Sequence, residues 1–352
     1  MAVCVMSPDV PGPARALVAI GGSAGSVGAL IKLVERLPAE LPAAVLVTVH
    51  VGDQGTSRLP EILQRAGSLP CRYAGHGDEL RNGEIIVAPP GRHLLVAGSA
   101  TVLSTGPRVN HVRPAIDPMF GSIAANSRLP AVGVILSGML DDGAVGAAML
   151  ALAGGAILVE DPTTAGFSSM PRAALAAVPT ARSAPADLLA SAIDELLKSS
   201  GSRAVAVSEE EVPVHMGEAD DPGFLAPDES GLTRLTCPEC HGSLAQVRLP
   251  SINFYRCHVG HQYSPQHLLV AQSETAEARL WSAVAALEEQ AVLARHLARH
   301  LAEDEPTATA TARTADQATE LAEALRARLA LEGAGGGVPV ASDELPGPGG
   351  PG

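Results

Sequence analysis

The segment that most constrains the fold lies near the start of the chain, where an apolar run passes into a helical pattern through a serine flanked by glycines. The run Ala16–Ile20 has the length and composition of a buried strand. Ser23 follows it within the glycine-rich range Gly21–Gly25, and apolar residues then recur at helical spacing as far as Leu37. Because glycine permits a tight strand-to-helix turn, we expect Ser23 at the carboxyl edge of a sheet, beside the first N–H groups of a helix.

This turn by itself leaves more than one chemistry open. The spacing Gly21-x-Ser23-x-Gly25 matches the pattern of a nucleophile elbow. Glycine-rich strand-to-helix turns also bind phosphate, or simply turn the chain. A nucleotide-binding domain is the weaker interpretation, because the segment has neither the lysine of a Walker loop nor an acidic residue about 20 positions further on.

From about residue 16 to residue 200, short apolar runs alternate with helical stretches. Six runs are predicted as strands: Leu17–Ile20, Ala44–Val49, Glu84–Ala88, His93–Val96, Ala131–Leu136 and Ala156–Val159. Six stretches are predicted as helices: Val27–Leu37, Ser57–Arg65, Pro118–Asn126, Ala144–Ala153, Pro171–Ala177 and Ala186–Leu197. This alternation predicts a doubly wound α/β fold with a mainly parallel sheet, and the closely spaced runs between residues 70 and 110 predict a hairpin insertion.

Composition narrows the class of protein. Hydrophobic residues make up 46% of the chain but aromatic residues only 2%, so the core must be aliphatic. A formal net charge of −14 argues against nucleic acid or an anionic membrane as the main partner. No apolar run reaches the roughly 18 residues that span a bilayer, and the start of the chain lacks the pattern of a signal peptide. We therefore expect a cytoplasmic protein that does not insert into a membrane.

The outer parts of the chain differ in composition from the α/β region. Residues 1–15 are rich in proline and residues 332–352 in glycine and proline, so both are predicted to be disordered. The acidic range 201–230 is predicted to be a flexible linker that separates the α/β domain from the remainder of the chain. Residues 266–331 are predicted to form a helical segment, with a second helix from about Thr314. An amphipathic hairpin is one interpretation of this segment, and self-association through a coiled coil is the other.

A cysteine cluster lies directly after the linker. Cys237 and Cys240 form a Cys-x2-Cys pair, and sixteen residues later Cys257 and His261 form a Cys-x3-His pair. Two such pairs on the arms of a hairpin complete a tetrahedron around zinc, so residues 231–265 are predicted to be a zinc ribbon with these four ligands. His258 directly follows a ligand and is badly placed to share the metal. A redox Cys-x2-Cys pair and plain surface cysteines are the alternatives.

Two residues could activate the serine. His50 directly follows the apolar run Ala44–Val49, and Asp142 lies shortly after Ala131–Leu136. Parallel strands bring their carboxyl ends to one edge, where a histidine base and an orienting acid would complete a nucleophilic site. As alternatives, His50 is a surface residue and Asp141 or Asp142 a helix cap. The order Ser, His, Asp also differs from that of the α/β-hydrolases, which argues against that fold.

Together these segments resemble the catalytic domain of the CheB-type protein-glutamate methylesterases of bacterial chemotaxis. The resemblance covers about residues 16–200, and its motifs occur in the family's order: Ile20–Ser23, His50, Gly91–His93, Arg113–Phe120, Leu136–Ala144, Glu160–Asp161 and Met170–Ala174. It implies a doubly wound α/β domain in which Ser23 is the nucleophile, His50 the base and Asp142 the orienting carboxylate. Asp142 is preferred to Asp141 because the family's acid immediately precedes Gly-Ala.

The resemblance also implies a substrate. The family hydrolyses methyl esters of glutamyl side chains on chemotaxis receptors, some members deamidate receptor glutamines, and catalysis needs no cofactor. The ribbon and the helix after it resemble an extension found on stand-alone members of the family. Only about 15 residues precede the first strand, so we expect no receiver domain before the catalytic domain. A catalytically weak scaffold that works through the ribbon and helices is the alternative function.

Some residues depart from the family's usual pattern. Ala24 stands where a threonine is usual, Ser26 where a second glycine is typical, and Leu140 where a glycine often precedes the acid. All three residues of the expected triad are nevertheless present. Two further polar residues are interpreted as structural: His93 as positioning a turn near the site, and Asp117 as the cap of a helix.

Overall fold

The structure, a computed structural model, describes residues 12–50, 57–200, 231–300 and 305–335. The predicted linker at 201–230, and most of the predicted disordered ends at 1–15 and 332–352, lie outside the described residues. The chain divides into two compact units, with the boundary after Leu268.

The first unit is built on a seven-stranded parallel sheet with the strand order β3-β4-β2-β1-β7-β8-β9. Its strands are β1 (Leu17–Gly22), β2 (Ala44–Val49), β3 (Cys71–Tyr73), β4 (Glu84–Val87), β7 (Ala131–Ile135), β8 (Ala156–Glu160) and β9 (Arg182–Ala184). Its helices are α1 (Ser26–Val34), α2 (Leu59–Ala66), α3 (Ile116–Asn126), α4 (Ala144–Leu152), α5 (Ser169–Ala177) and α6 (Ala186–Ser200). The predicted doubly wound α/β fold is confirmed.

Strand β1 shows why this sequence forms a sheet that is covered on both faces. All six of its residues are buried, and successive side chains point to opposite faces. Val18 and Ile20 join a core with residues of α1, α2 and α6, whereas Leu17 and Ala19 join a core with residues of α3, α4 and α5. A parallel strand of this kind is a nearly continuous apolar run, which is why the sequence pattern was sufficient to find it.

The predicted hairpin insertion is present as β5 (His93–Ala97) and β6 (Ala100–Ser104), which pair antiparallel. Three short strands, β3, β6 and β9, were not predicted from the sequence. β3 and β9 have only three residues each, too few to show a period, and two residues of β9 are exposed.

The cysteine-rich segment forms an antiparallel sheet of β10 (Leu232–Thr236), β11 (Ser243–Arg248), β12 (Asn253–Cys257) and β13 (Gln262–Tyr263). We call residues 231–263 the ribbon. Phe254 of the ribbon is fully buried against Val145 and Met149 of α4. The expectation of a ribbon separated from the α/β domain is therefore wrong, because the two share a hydrophobic cluster within one compact unit.

Two long helices end the described chain: α7 (Pro265–His300) and α8 (Glu305–Gly335). They pack on each other through Val284, Ala322 and Leu329, as the hairpin interpretation requires, while self-association stays a prediction. α8 begins before the predicted start at Thr314 and extends into the predicted tail. Among the described helices, none combines the length and apolar character needed to cross a bilayer.

Candidate active site

Ser23 lies one residue beyond the carboxyl end of β1, in a turn that glycine makes possible. Gly25 caps α1 with a left-handed φ of 75°, and a Cβ atom on Gly22 would lie 2.6 Å from the Ser26 Oγ. The Ser26 hydroxyl donates to the Ser23 carbonyl over 2.7 Å, and the Ser23 N–H donates to the Ser137 carbonyl over 2.9 Å. The turn therefore holds the backbone of Ser23 from both sides.

His50 follows the neighbouring strand β2 and lies between a hydroxyl and a carboxylate. Its Nδ1 is 2.9 Å from the Ser23 Oγ, and its Nε2 is 2.7 Å from the Asp142 Oδ2. With Asp142 ionised, the ring proton belongs on Nε2, so that Nδ1 accepts from the serine hydroxyl. The structure thus brings together all three residues that the sequence pointed to, and His50 is not a simple surface residue.

The Asp142 carboxylate is buried and surrounded by donors. The Ile116 N–H and the Asn110 side-chain amide donate to it over 2.7 and 2.9 Å, and the Asp117 N–H over 3.3 Å. Burial alone would raise the pKa of Asp142, but the hydrogen bond and charge of His50, with the other donors, hold that pKa below its usual range. Asp142 therefore remains a carboxylate that can orient the imidazole.

Neither acid before α4 is a helix cap. The N-cap of α4 is Gly143, with a φ of 94° and no side-chain capping bond. Asp141 instead accepts hydrogen bonds from Ser264 and His267. Adjacent side chains point in different directions, so these two carboxylates enter two different networks.

The expectation for Asp117 is also wrong. Helix α3 begins at Ile116 after Ala115, so Asp117 is inside its first turn and buried. Its Oδ1 accepts the Gly146 N–H over 2.7 Å, which ties α3 to α4. Burial and the nearby charge of Asp142 raise the pKa of Asp117 well above its usual range.

Ser137 supports the nucleophile turn and was not singled out from the sequence. Its hydroxyl donates to the Ala24 carbonyl and accepts the Phe167 N–H, both over 2.8 Å. Its own N–H donates to the buried Glu160 carboxylate over 2.7 Å. Ser137 lies just beyond β7, and its place at the carboxyl edge of the sheet was the signal that could have found it.

Gly138 allows two parts of the site to approach closely. A Cβ atom at this position would lie 1.9 Å from the Met170 sulfur and 2.9 Å from the Ser23 Cβ. Since real Cβ atoms are not found at such distances, a larger residue here would displace the nucleophile or Met170. Met170 is 1% exposed, so it packs against the site from inside the fold.

His93 positions a loop of the site, as expected, and it does so from a fully buried position. Its Nδ1 accepts the Ala115 N–H over 3.2 Å, and its Nε2 donates to the Pro107 carbonyl over 3.0 Å. Burial lowers the pKa of His93 to about 4, so the ring is neutral at pH 7. Ala115 directly precedes Ile116, whose N–H holds Asp142.

The four predicted metal ligands meet in the ribbon. Ligand atoms of Cys237, Cys240, Cys257 and His261 all lie within 4.8 Å of one another. The three cysteines are free thiols, and the His261 Nδ1 faces the cluster 3.5 Å from the Cys257 Sγ. Its Nε2 lies 3.0 Å from a Glu239 oxygen, the outer contact that metal-bound histidines usually make. His258 is exposed, in line with its exclusion. The donor set fits a closed tetrahedral metal site.

Comparison with known proteins identifies the family of the α/β domain. The family model described as CheB methylesterase matches residues 18–193. A protein-glutamate methylesterase/protein-glutamine glutaminase of Symbiobacterium thermophilum is 44% identical over 159 residues, covering 45% of this chain and 44% of the relative. A second protein of that name, from Anaeromyxobacter dehalogenans, is 37% identical over 190 residues, covering 53% of this chain and 56% of the relative. The chain thus spans about half the length of these relatives.

A solved structure gives the same result for the fold. The crystal structure of the Thermotoga maritima CheB methylesterase catalytic domain is 28% identical and superposes with a TM-score of 0.50. The match covers 53% of this chain and the whole of that domain. The family resemblance inferred from the motifs is confirmed: this chain belongs to the CheB methylesterase family.

Proposed function

We propose that this chain is a protein-glutamate methylesterase in which Ser23 is the nucleophile, His50 the general base and Asp142 the orienting acid. One observation carries the proposal: an unbroken hydrogen-bonded line from the Ser23 Oγ through both ring nitrogens of His50 to the Asp142 carboxylate. The names of the relatives support the same activity.

The geometry defines the role of each group. The Ser23 Oγ attacks the carbonyl carbon of a glutamyl methyl ester while the His50 Nδ1 takes its proton. The tetrahedral intermediate collapses, the methoxy group takes that proton and leaves as methanol, and a serine ester remains. Water activated by His50 then cleaves this ester to release the glutamyl carboxylate. Asp142 stays ionised throughout and stabilises the imidazolium.

Two features follow from the same chemistry. Backbone N–H groups at Ala24 and Met139 are the proposed donors to the oxyanion, because both residues lie in the turns that flank Ser23. A glutamine amide can replace the ester, with ammonia as the leaving group, so deamidation of receptor glutamines is proposed as a second activity. The proposed partner is a methylated chemoreceptor-like protein, and the proposed location of the reaction is the cytoplasm.

The ribbon is proposed to hold one structural zinc ion through Cys237, Cys240, Cys257 and His261. Three thiolates and one imidazole form a closed set with no position left for substrate, which is the pattern of a structural site. Zinc supplies folding energy to the ribbon when it is bound, and hydrolysis at Ser23 needs no metal.

Methanol release from methylated receptor tests the proposal. Ser23→Ala should lower the rate by at least about 10³-fold, because removal of one member disables the whole triad. Ser183→Ala, at an exposed position of β9, is the matched control and should keep the wild-type rate. Near-full activity of Ser23→Ala, with an unchanged circular dichroism spectrum, would refute the assignment. An inert wild-type protein would favour the scaffold interpretation.

A further inference from the structure

Asn110 lies next to the triad and bridges two buried carboxylates. It belongs to the loop between β6 and α3, is 1% exposed, and has a left-handed φ of 53°. Its side-chain nitrogen donates one hydrogen to the Asp142 Oδ1 over 2.9 Å and the other to the Asp117 Oδ2 over 3.0 Å. Both hydrogens of the amide are thus used to hold acids, one of which is the proposed orienting acid.

The other hydrogen bonds of Asn110 are made to residues at the end of the ribbon and directly after it. The Asn110 N–H donates to the Gln262 carbonyl over 2.8 Å, and its side-chain oxygen accepts the Ser264 N–H over 2.9 Å. Val109, one residue earlier, forms a parallel bridge with Gln262. The residue that holds Asp142 is therefore itself held by the segment directly after the metal ligand His261.

Asp141 provides a second link at the same place. Its Oδ1 accepts the Ser264 hydroxyl over 2.5 Å and faces the His267 Nδ1 at 2.6 Å. All three side chains are buried. Residues 262–267, the segment that we call the clasp, thus bind two neighbours of Asp142: Asn110, which contacts it in space, and Asp141, which precedes it in the chain.

We propose that Asn110 is a positioning residue for Asp142, and that the clasp keeps Asn110 in its bonding orientation. This inference rests on the proposed function of Asp142. A non-glycine residue with positive φ costs free energy and persists only where its surroundings hold it, and both Asn110 and the adjacent His111 have positive φ. The hydrogen bonds to Gln262 and Ser264 hold Asn110 in this backbone conformation.

The chemical role of Asn110 is to present a neutral donor where a charge would be harmful. By bonding one oxygen of Asp142, the amide leaves the other oxygen, Oδ2, directed at the His50 Nε2. It also stands between Asp142 and Asp117, whose carboxylates would otherwise face each other without this donor. Without the amide, Asp142 would be free to turn away from His50. The negative charge of Asp142 would also be less compensated by hydrogen bonding.

Substitutions of Asn110 test the catalytic part. Asn110→Asp keeps the size and the oxygen that accepts from Ser264, but places a carboxylate oxygen against Asp142 and Asp117. We expect kcat on a glutamyl methyl ester peptide to fall about 10- to 100-fold, the effect of losing one hydrogen bond to a charged group, with little change in KM.

Two comparison variants complete this arm. Asn110→Ala should show the same fall in kcat, again with little change in KM. Asn82→Asp should match the wild type, because the Asn82 side chain bonds to Pro13 and Arg15 near the start of the chain rather than to the site. A wild-type kcat in Asn110→Ala, or a loss of kcat/KM that comes wholly from a higher KM, would overturn the positioning role.

Hydrogen exchange on the wild-type protein tests the clasp without any use of activity. Removal of zinc by a chelator should expose the Asn110, Ile116 and Ser264 amides to exchange, while amides of β1 keep their protection. Restored zinc should restore the protection. Loss of protection confined to residues 237–263 would overturn the coupling. Because this arm does not depend on ester turnover, its failure is distinguishable from a failure of the proposed function, which an inactive wild-type protein would reveal.

Discussion

The α/β layer and the ribbon position polar groups by different physical means. In the α/β layer, a large aliphatic core covers both faces of the sheet, and Ser23 and His50 stand at the ends of wholly buried strands. In the ribbon, few apolar side chains are fully buried, and the ligands meet in one cluster. A short segment with a small core needs a cross-link such as a metal ion to be stable, whereas a large core holds the residues at its edge without one.

The largest expected effect tests the metal dependence of the ribbon. The purified chain should contain about one zinc ion, bound with about 10 kcal/mol or more of free energy. Acid or a chelator should release the ion, because the ligands must be deprotonated, and the ribbon should then unfold. Metal analysis and hydrogen exchange are the measurements.

Single cysteine variants sharpen this prediction. Cys240→Ser should lose the metal, whereas Cys71→Ser, in the α/β layer and outside the cluster, should keep it. Reduced, freshly purified protein without zinc would contradict the ribbon assignment and remove the contrast between the two regions.

The second prediction uses two adjacent acids, of which Asp142 contacts His50 and Asp141 contacts the segment that directly follows the ribbon. Asp142→Asn should lower ester hydrolysis about 10⁴-fold, because an amide donates to His50 and favours the wrong tautomer. Asp141→Asn should cost far less, since Asp141 contacts Ser264 and His267 rather than the triad. The measurement is the rate of methanol release by each variant. A larger loss of activity in Asp141→Asn would mean that Asp141, and not Asp142, is the orienting acid.

The third prediction concerns acid stability of the α/β layer. Burial lowers the pKa of His93 from its ordinary value of 6.5 to about 4. Between these two pH values His93 is protonated in the unfolded chain but neutral in the folded protein. The stability due to neutral His93 is present above about pH 6.5 and is lost as the pH falls towards about 4, by about 3 kcal/mol in total. Urea unfolding at several pH values measures this loss.

A variant isolates the contribution of this histidine. His93→Gln should be less stable at neutral pH, because it loses the paired bonds to Ala115 and Pro107, but its stability should fall less steeply in acid. Parallel curves for the two proteins would show that His93 is not the group responsible.

The smallest expected effect lies in the turn before Asp142. Leu140 has a left-handed φ of 60°, a backbone conformation that favours glycine. Leu140→Gly should raise the free energy of unfolding by about 1 kcal/mol, because glycine adopts this conformation without a Cβ clash. Thermal unfolding measures it, and a lower melting temperature would mean that the Leu140 side chain contributes more through packing than its backbone costs.

Local patterns were sufficient for the elements that carry their own period. Strands β1, β2, β4, β7 and β8 are mostly apolar, and each ends within two residues of its predicted end. The three-residue strands β3 and β9 carried no such signal and depend on their neighbours in the sheet. The start of α8 was placed too late because its alanine- and threonine-rich first turns have no apolar stripe.

By itself, the sequence determined the α/β class, the turn that carries Ser23, the strand end that carries His50 and the spacing of the four ribbon ligands, because each depends on neighbouring residues. Only the tertiary structure showed that Asp141 bonds to Ser264 and His267, and that Asn110 joins Asp142 to Gln262 and Ser264. Those contacts join residues that are 32 to 154 positions apart in the chain, and no local pattern records a hydrogen bond across such a distance.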